Sequence, residues 1–226
     1  MKRKNVSLIA GAAVCTLTVL LTVMYAVVSG MFVHAEYVPP CDTDSISAEA
    51  IQTVTERGLI PTEQHAGAVY FYPDRSVTRG ELAKTLCILL SLPVKQYAET
   101  PLGFADEATI PEADLPYIRA VLASGYISLF GDYTFRANDV LSREETADIF
   151  GSLLSGAVST GKSEALTDFE AVSAHFKANA KKAVDYGIMI GYPDGTFRPK
   201  EALTRKELAL LLHRLLQNEH FIKRNS

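Results

Sequence analysis

Three times in this chain a hydroxyl residue, an arginine, a variable residue and a glutamate stand in a row at the head of an apolar stretch. The copies are Thr78-Arg79-Gly80-Glu81, Ser142-Arg143-Glu144-Glu145 and Thr204-Arg205-Lys206-Glu207. A hydroxyl with a glutamate three residues on is a capping box, in which each side chain accepts a hydrogen bond from a backbone N–H left free at a helix start. Thr78 with Glu81, Ser142 with Glu145 and Thr204 with Glu207 are therefore expected to open three helices. The cap does not account for the arginine. A cation at the first helical position faces the positive end of the helix dipole, which costs about 0.3–1 kcal/mol. Repeated three times, Arg79, Arg143 and Arg205 suggest that an anion is received there.

The rest of the repeat is built around these motifs. Arg79 and Arg143 lie 64 residues apart, Arg143 and Arg205 lie 62 apart, and a phenylalanine (Phe71, Phe135, Phe197) stands eight residues before each. Further upstream Gly58, Gly125 and Gly187 supply the left-handed position that ends a helix. Apolar residues spaced three and four apart mark one face of each first helix: Ile51 and Val54; Ile118, Val121 and Leu122; Phe176, Ala180, Ala183 and Val184. The second helices do the same with Leu82, Leu86, Leu89 and Leu90; Phe150, Leu153 and Leu154; Leu208, Leu212, Leu215 and Leu216. Each unit thus reads helix, glycine stop, irregular loop, capping box, second helix, giving an all-α fold of three helix-loop-helix repeats. The expected repeats are 36–93, 101–155 and 165–218, followed by a tail at 219–226.

The loops differ. The third contains the turn signal Pro193-Asp194-Gly195, the second keeps Gly131-Asp132, and the first carries three extra residues between its glycine and its arginine. That first copy is degenerate in its first half, and its groove, with Arg79, is expected to be the least active.

Residues 1–35 read as a signal peptide or signal anchor. Lys2, Arg3 and Lys4 are followed by no Asp, Glu, Lys or Arg until Glu36. The apolar run is long enough to cross a bilayer, which takes about 20 residues. Val33-His34-Ala35 fits cleavage, whereas the length of the run fits a retained membrane anchor, and both readings stand. Lys and Arg total 22 against 26 Asp and Glu. With Lys2, Arg3 and Lys4 set aside, the remainder is acidic by seven charges. An acidic chain has no general field to attract nucleic acid, so no nucleic-acid partner is expected. Any anion bound here must be held by local geometry.

The repeat resembles the S-layer homology domain, in three tandem copies. The likeness is carried by Phe104-Ala105-Asp106 opening copy two. In copy three it runs from Gly187-Ile188-Met189-Ile190-Gly191-Tyr192-Pro193-Asp194-Gly195-Thr196-Phe197-Arg198-Pro199 to Leu203-Thr204-Arg205-Lys206-Glu207. The resemblance implies a pseudo-threefold bundle of helical repeats and a non-catalytic, cofactor-free module that anchors exported proteins to the cell wall or S-layer. Its ligand would be a secondary cell-wall polysaccharide, often bearing a pyruvate ketal, whose carboxylate is received near Arg79, Arg143 and Arg205. Such an anion could meet both the guanidinium fork and the free N–H groups of the helix start. The alternative is an envelope protein–protein interaction or S-layer self-assembly module, in which the arginines pair with carboxylates of neighbouring repeats.

The chain departs from the family in having no Trp; Tyr117, Tyr126, Tyr186 and Tyr192 are the aromatic residues that could face a sugar instead. Glu170 is read as replacing the usual Asp in copy three. His65, His175, His213 and His220 have no metal-ligand spacing, with or without Cys41 and Cys87, so no metal is expected. Cys87, inside an apolar helix, reads more simply as a buried thiol than as a disulfide partner of Cys41. No carboxylate pair, serine elbow or phosphate-binding glycine loop is distinguished by motif, and an enzyme is not expected.

Overall fold

The computed structural model describes residues 37–99, 101–156 and 160–224. The export segment expected at 1–35 lies outside them. Among the described residues no helix is long and apolar enough to cross a membrane. The architecture below belongs to the unit Pro39–Ser226.

The fold is mostly helical. Its first repeat comprises α1 (Ala48–Glu56), a small hairpin of β1 (Glu63–His65) and β2 (Ala68–Tyr70), and α2 (Arg79–Leu89). A short α3 (Val94–Tyr97) leads to the second repeat, α4 (Leu115–Ala123) and α5 (Arg143–Ser152). The third comprises α6 (Lys177–Asp185) and α7 (Arg205–Gln217), followed by α8 (Glu219–Arg224). Single 3-10 turns at Glu107–Thr109 and Phe169–Ala171 precede α4 and α6.

Helices α2, α5 and α7 begin with reciprocal caps. Thr78, Ser142 and Thr204 accept from the N–H of Glu81, Glu145 and Glu207, and each glutamate accepts from the N–H of its capping residue at 2.9–3.0 Å. Gly58, Gly125 and Gly187 stop α1, α4 and α6 with φ of 66°, 72° and 73°. There the N–H of the following residue reaches back to Val54, Val121 and Ala183, closing carbonyls that would otherwise be orphaned.

The repeats pack in a cycle. Helix α2 packs on α4, α5 on α6, and α7 returns to α1. At the centre three strand-like segments form a closed ring of backbone hydrogen bonds. Val77 N–H donates to Leu203 O at 2.9 Å, Leu203 N–H to Leu141 O at 2.9 Å, and Leu141 N–H to Val77 O at 3.0 Å. Val77, Leu141 and Leu203 are all buried, so every bond in this ring is shielded from competing water. Phe71, Phe135 and Phe197 are fully buried around it. The α5–α6 crossing is close: a Cβ on Gly151 would sit 2.0 Å from Asn179 O, which no side chain allows.

A carboxylate sets each loop. Asp42 accepts from the N–H groups of Phe71 and Tyr72, Asp106 from Phe135 and Arg136, and Asp168 from Phe197 and Arg198, at 2.5–2.8 Å. Tyr72, Arg136 and Arg198 are thereby held at φ near 55–58°, a left-handed conformation that costs a non-glycine residue about 1–2 kcal/mol. This corrects the expectation about Glu170. Asp168 is the aspartate of copy three, and Glu170 is an exposed partner of Lys177.

The first copy keeps the same separation of 29 residues between aspartate and phenylalanine. Its three extra residues after Gly58 are taken up in the segment that carries the β1–β2 hairpin, and it has three fewer before that glycine, where the other copies place a 3-10 turn.

Candidate functional site

The motif arginines are the joints of the cycle. Each leaves its own repeat and enters the loop of the next. Arg79 Nε donates to Phe135 O at 2.9 Å and Nη2 to Ser128 O at 3.0 Å. Arg143 Nε donates to Phe197 O at 2.7 Å and Nη2 to Ile190 O at 3.0 Å. Arg205 closes the cycle, with Nε on Phe71 O at 2.7 Å and Nη2 on Pro61 O at 2.6 Å. All three are buried, at 6 %, 3 % and 2 % exposure. Each also approaches the capping glutamate of the repeat it enters. Arg143 Nη1 meets Glu207 at 2.8 Å, while Arg205 lies 3.8 Å from Glu81 and Arg79 lies 3.9 Å from Glu145.

Two corrections follow. The helix starts are not open to an external anion, because their first N–H groups are already used. Arg79 and Gly80 donate to Asp139 O and Ala137 O, Arg143 and Glu144 to Glu201 O and Pro199 O, and Arg205 and Lys206 to Arg75 O and Pro73 O. The third N–H of each helix is taken by the cap. The electronegative partners implied by a cation at the helix start are thus carbonyl oxygens and a glutamate of the next repeat. Secondly, the degenerate first loop belongs to the groove of Arg205, not to that of Arg79, since each arginine serves the following repeat.

Each arginine nevertheless forms the floor of a groove. The Arg205 groove, about 380 Å³, is lined by Arg75, Lys84, Glu63, Glu81 and Tyr117. The Arg143 groove, about 230 Å³, is lined by Ile190, Tyr192, Lys206, Glu207 and Arg214. The Arg79 groove, about 550 Å³, is lined by Tyr126, Glu145, Asp148, His175 and Asn179. A guanidinium carries five N–H donors in a fixed fork, and the two carbonyl bonds leave part of that fork facing the groove.

Electrostatics separate the three. In the Arg205 groove, Arg75 binds Glu63 and Glu81 at 2.7 Å each and Lys84 binds Asp114 at 2.6 Å, so its charges are largely matched internally. In the Arg143 groove, Glu207 is the single lining carboxylate against Arg143 and Arg214, while Lys206 pairs outside the groove with Asp44 at 3.5 Å and Asp74 at 4.0 Å. Arg214 donates to Ile188 O at 3.4 Å. Its pKa is lowered by burial and then by the charge of Arg143, as expected of two cations facing one recess. In the Arg79 groove the carboxylates outnumber the arginine.

Of the four candidate sugar-facing tyrosines, three line one groove each. Tyr192 is occupied: the guanidinium groups of Arg143 and Arg198 lie 4.6 and 4.0 Å from its ring centre. Its hydroxyl donates to Glu207 at 2.5 Å, and burial with that bond pushes its pKa up to about 12. Tyr186 lies outside the grooves, donating to Ser155 O and meeting the edge of His220. Cys41 and Cys87 are free thiols, the first exposed and the second buried. Among the described residues no group of His, Cys, Asp and Glu could hold a metal ion.

A family model of the S-layer homology domain matches residues 42–83, 103–147 and 165–209. These segments make up more than half of the chain, and it belongs to that family. The chain is 38 % identical over 90 residues to cell surface glycoprotein 1 of Acetivibrio thermocellus, covering 39 % of this chain and 4 % of that one. It is 35 % identical over 85 residues to a cellulosome-anchoring protein of the same organism, covering 37 % and 19 %. The outer membrane protein SlpA of Thermus thermophilus is 57 % identical over 42 residues, covering 17 % and 5 %. The chain spans less than a fifth of the length of each of these relatives.

Proposed function

We propose that this chain is a non-catalytic cell-surface anchor that holds a secondary cell-wall polysaccharide, with the Arg143 groove as its acidic-sugar site. Family membership supports the anchoring role, as do relatives described as a cell-surface glycoprotein and a cellulosome-anchoring protein. The repeats at 36–93, 101–155 and 165–218 form a pseudo-threefold bundle whose cyclic helix pairing presents three grooves to one polymer. Sharing a polymer raises the effective concentration at each groove, so modest single-site affinity suffices. Residues 1–35 export the chain and, if retained, join membrane to wall. The work takes place outside the cytoplasm.

The observation that carries the acidic-sugar reading is the pairing of Arg143 and Arg214 on one recess with Glu207 as its single lining carboxylate. A pyruvate ketal brings a carboxylate on an otherwise apolar ring, and a guanidinium fork binds a carboxylate in two parallel hydrogen bonds. Arg205 and Arg79 occupy equivalent places in grooves with a less favourable charge balance.

Co-sedimentation with purified walls tests this. The full chain should pellet with walls, and removal of pyruvate by mild acid should weaken binding. Arg214→Gln should lower affinity about tenfold, which is about 1.4 kcal/mol, with unfolding unchanged. Binding indifferent to both changes would refute the acidic-sugar site. A second reading, a protein-docking module with structural arginines, is favoured by the burial of Arg79, Arg143 and Arg205. It predicts sedimentation that survives complete removal of the polysaccharide.

A further inference from the structure

We infer that the Arg79 groove receives an uncharged, hydroxyl-rich sugar unit and excludes an acidic one, which divides the work between grooves of a single frame. The inference rests on the wall-polysaccharide reading above. The three grooves act as internal controls, because equivalent backbone positions carry different chemistry. Five residues after each motif arginine stands Lys84 in the Arg205 groove, Leu210 in the Arg143 groove and Asp148 in the Arg79 groove. Nine residues after it the same grooves carry Ile88, Arg214 and Ser152. The neighbouring first helix adds Tyr117 to the Arg205 groove and, at the matching position, Asn179 to the Arg79 groove.

These exchanges reverse the preference of the site. Arg79 already donates to two carbonyls and faces Glu145. Its guanidinium lies 4.5 Å from the Phe130 ring centre, and Arg136 lies 4.2 Å from the same ring. An incoming carboxylate would meet Asp148 and Glu145 with no second arginine or lysine lining the groove to offset them, and like charges at close range repel. A sugar hydroxyl is a donor that a carboxylate accepts well. Asp148 is half-buried, and its Oδ1 accepts from Asn179 Nδ2 at 2.9 Å. That pair offers fixed acceptors and donors in the manner of a polar anchor in a small-ligand pocket. Tyr126 and Phe176 line the groove beside them.

On the other side of the loop that walls this groove, a second recess is lined by Leu102, Leu122, Leu129 and Tyr133. Tyr133 is 72 % exposed. It stands where the third loop has Gly195, both with positive φ. An exposed ring beside leucines suits the C–H face of an adjoining sugar, with the phenol left in water.

The test uses the full isotope-labelled chain in detergent micelles and wall polysaccharide before and after removal of pyruvate by mild acid. The pyruvate-free polymer should shift the backbone amides of Ser128, Ser152 and Asn179. Asp148→Lys, which imports the residue of the Arg205 groove, should weaken that response at least tenfold and leave the response of Ile190 and Leu210 to untreated polymer intact. Asp148→Asn keeps the shape of the site and should weaken it severalfold, which guards against a lysine variant that does not fold. Amides of the Arg79 groove unmoved by pyruvate-free polymer, or an Asp148→Asn variant that titrates as the unaltered chain does, would overturn the inference. Should Ser152 and Asn179 respond while Ile190 and Leu210 ignore untreated polymer, this inference holds and the acidic-sugar site of the Arg143 groove fails.

Discussion

Arg205 Nε donates to the carbonyl of Phe71 at 2.7 Å, joining the last repeat to the first across 134 residues of sequence. The same guanidinium also holds Pro61 O and is 2 % exposed. Replacing it with alanine leaves the carbonyls of Phe71 and Pro61 without their side-chain donor. Breaking a buried charged interaction of this kind costs about 3–5 kcal/mol. Arg205→Ala should show that loss in urea unfolding. Arg205→Lys should recover no more than about half of it, because an ammonium cannot reproduce the fork. Full stability in Arg205→Ala would show that the joint is dispensable.

Asp168 and Glu170 are two residues apart and should behave oppositely. Asp168 holds the N–H groups of Phe197 and Arg198, so Asp168→Ala strands two donors, at about 1–3 kcal/mol each. Glu170 is exposed and meets Lys177 at the surface, where an ion pair contributes about 0–1 kcal/mol. Thermal unfolding of the two alanine variants decides the matter: a large fall for Asp168 and almost none for Glu170.

Asp132 and Asp194 accept hydrogen bonds from Thr134 and Thr196 and pair with Arg136 and Arg198, in that causal order, which lowers both carboxyls to about 2. A folded-state pKa below the unfolded value adds stability that is present above the unfolded pKa and is lost as pH falls toward the folded one. Stability should therefore decline from about pH 4 to about pH 2. Asp194→Asn should flatten that part of the profile, read by fluorescence-monitored unfolding at each pH. An unchanged slope in the variant would remove Asp194 from the account.

Burial raises the Cys87 thiol to about 11, whereas Cys41 is exposed. The thiolate is the reactive species, so iodoacetamide at pH 8 should label the peptide containing Cys41 and leave that containing Cys87 untouched until denaturant is added. Equal labelling of both under native conditions would contradict the packing around α2.

Much of the fold is spelled out locally. Helical spacing and terminal glycines act within a few residues, so α1, α2, α4, α5, α6 and α7 can be found without knowing where they pack. The destination of the arginines is different. Their acceptors are backbone carbonyls of another repeat, and a carbonyl has no residue type to betray it. A local reading therefore places Arg79 in its own loop, whereas the cycle sends it to the next.

Asp168 was hidden for another reason. Its signal is a separation of 29 residues from Phe197, repeated at Asp42 and Asp106, which no local pattern displays, and Glu170 two residues on is a carboxylate of the same charge. Arg214 and Asp148 sit at helix positions that vary among the repeats, so no recurrence marks them. Only superposing the grooves gives them meaning.

The hydrogen-bond triangle of Val77, Leu141 and Leu203 cannot close until all three repeats are present. As the polypeptide emerges from the ribosome, the N-terminal third has no Leu203 to accept from it and no Arg205 to fill its loop. Its edge of the ring and its loop are satisfied only once Leu203 and Arg205 have been made. A fragment holding only the first two repeats would leave the Val77 N–H and the carbonyls of Phe71 and Pro61 without these partners.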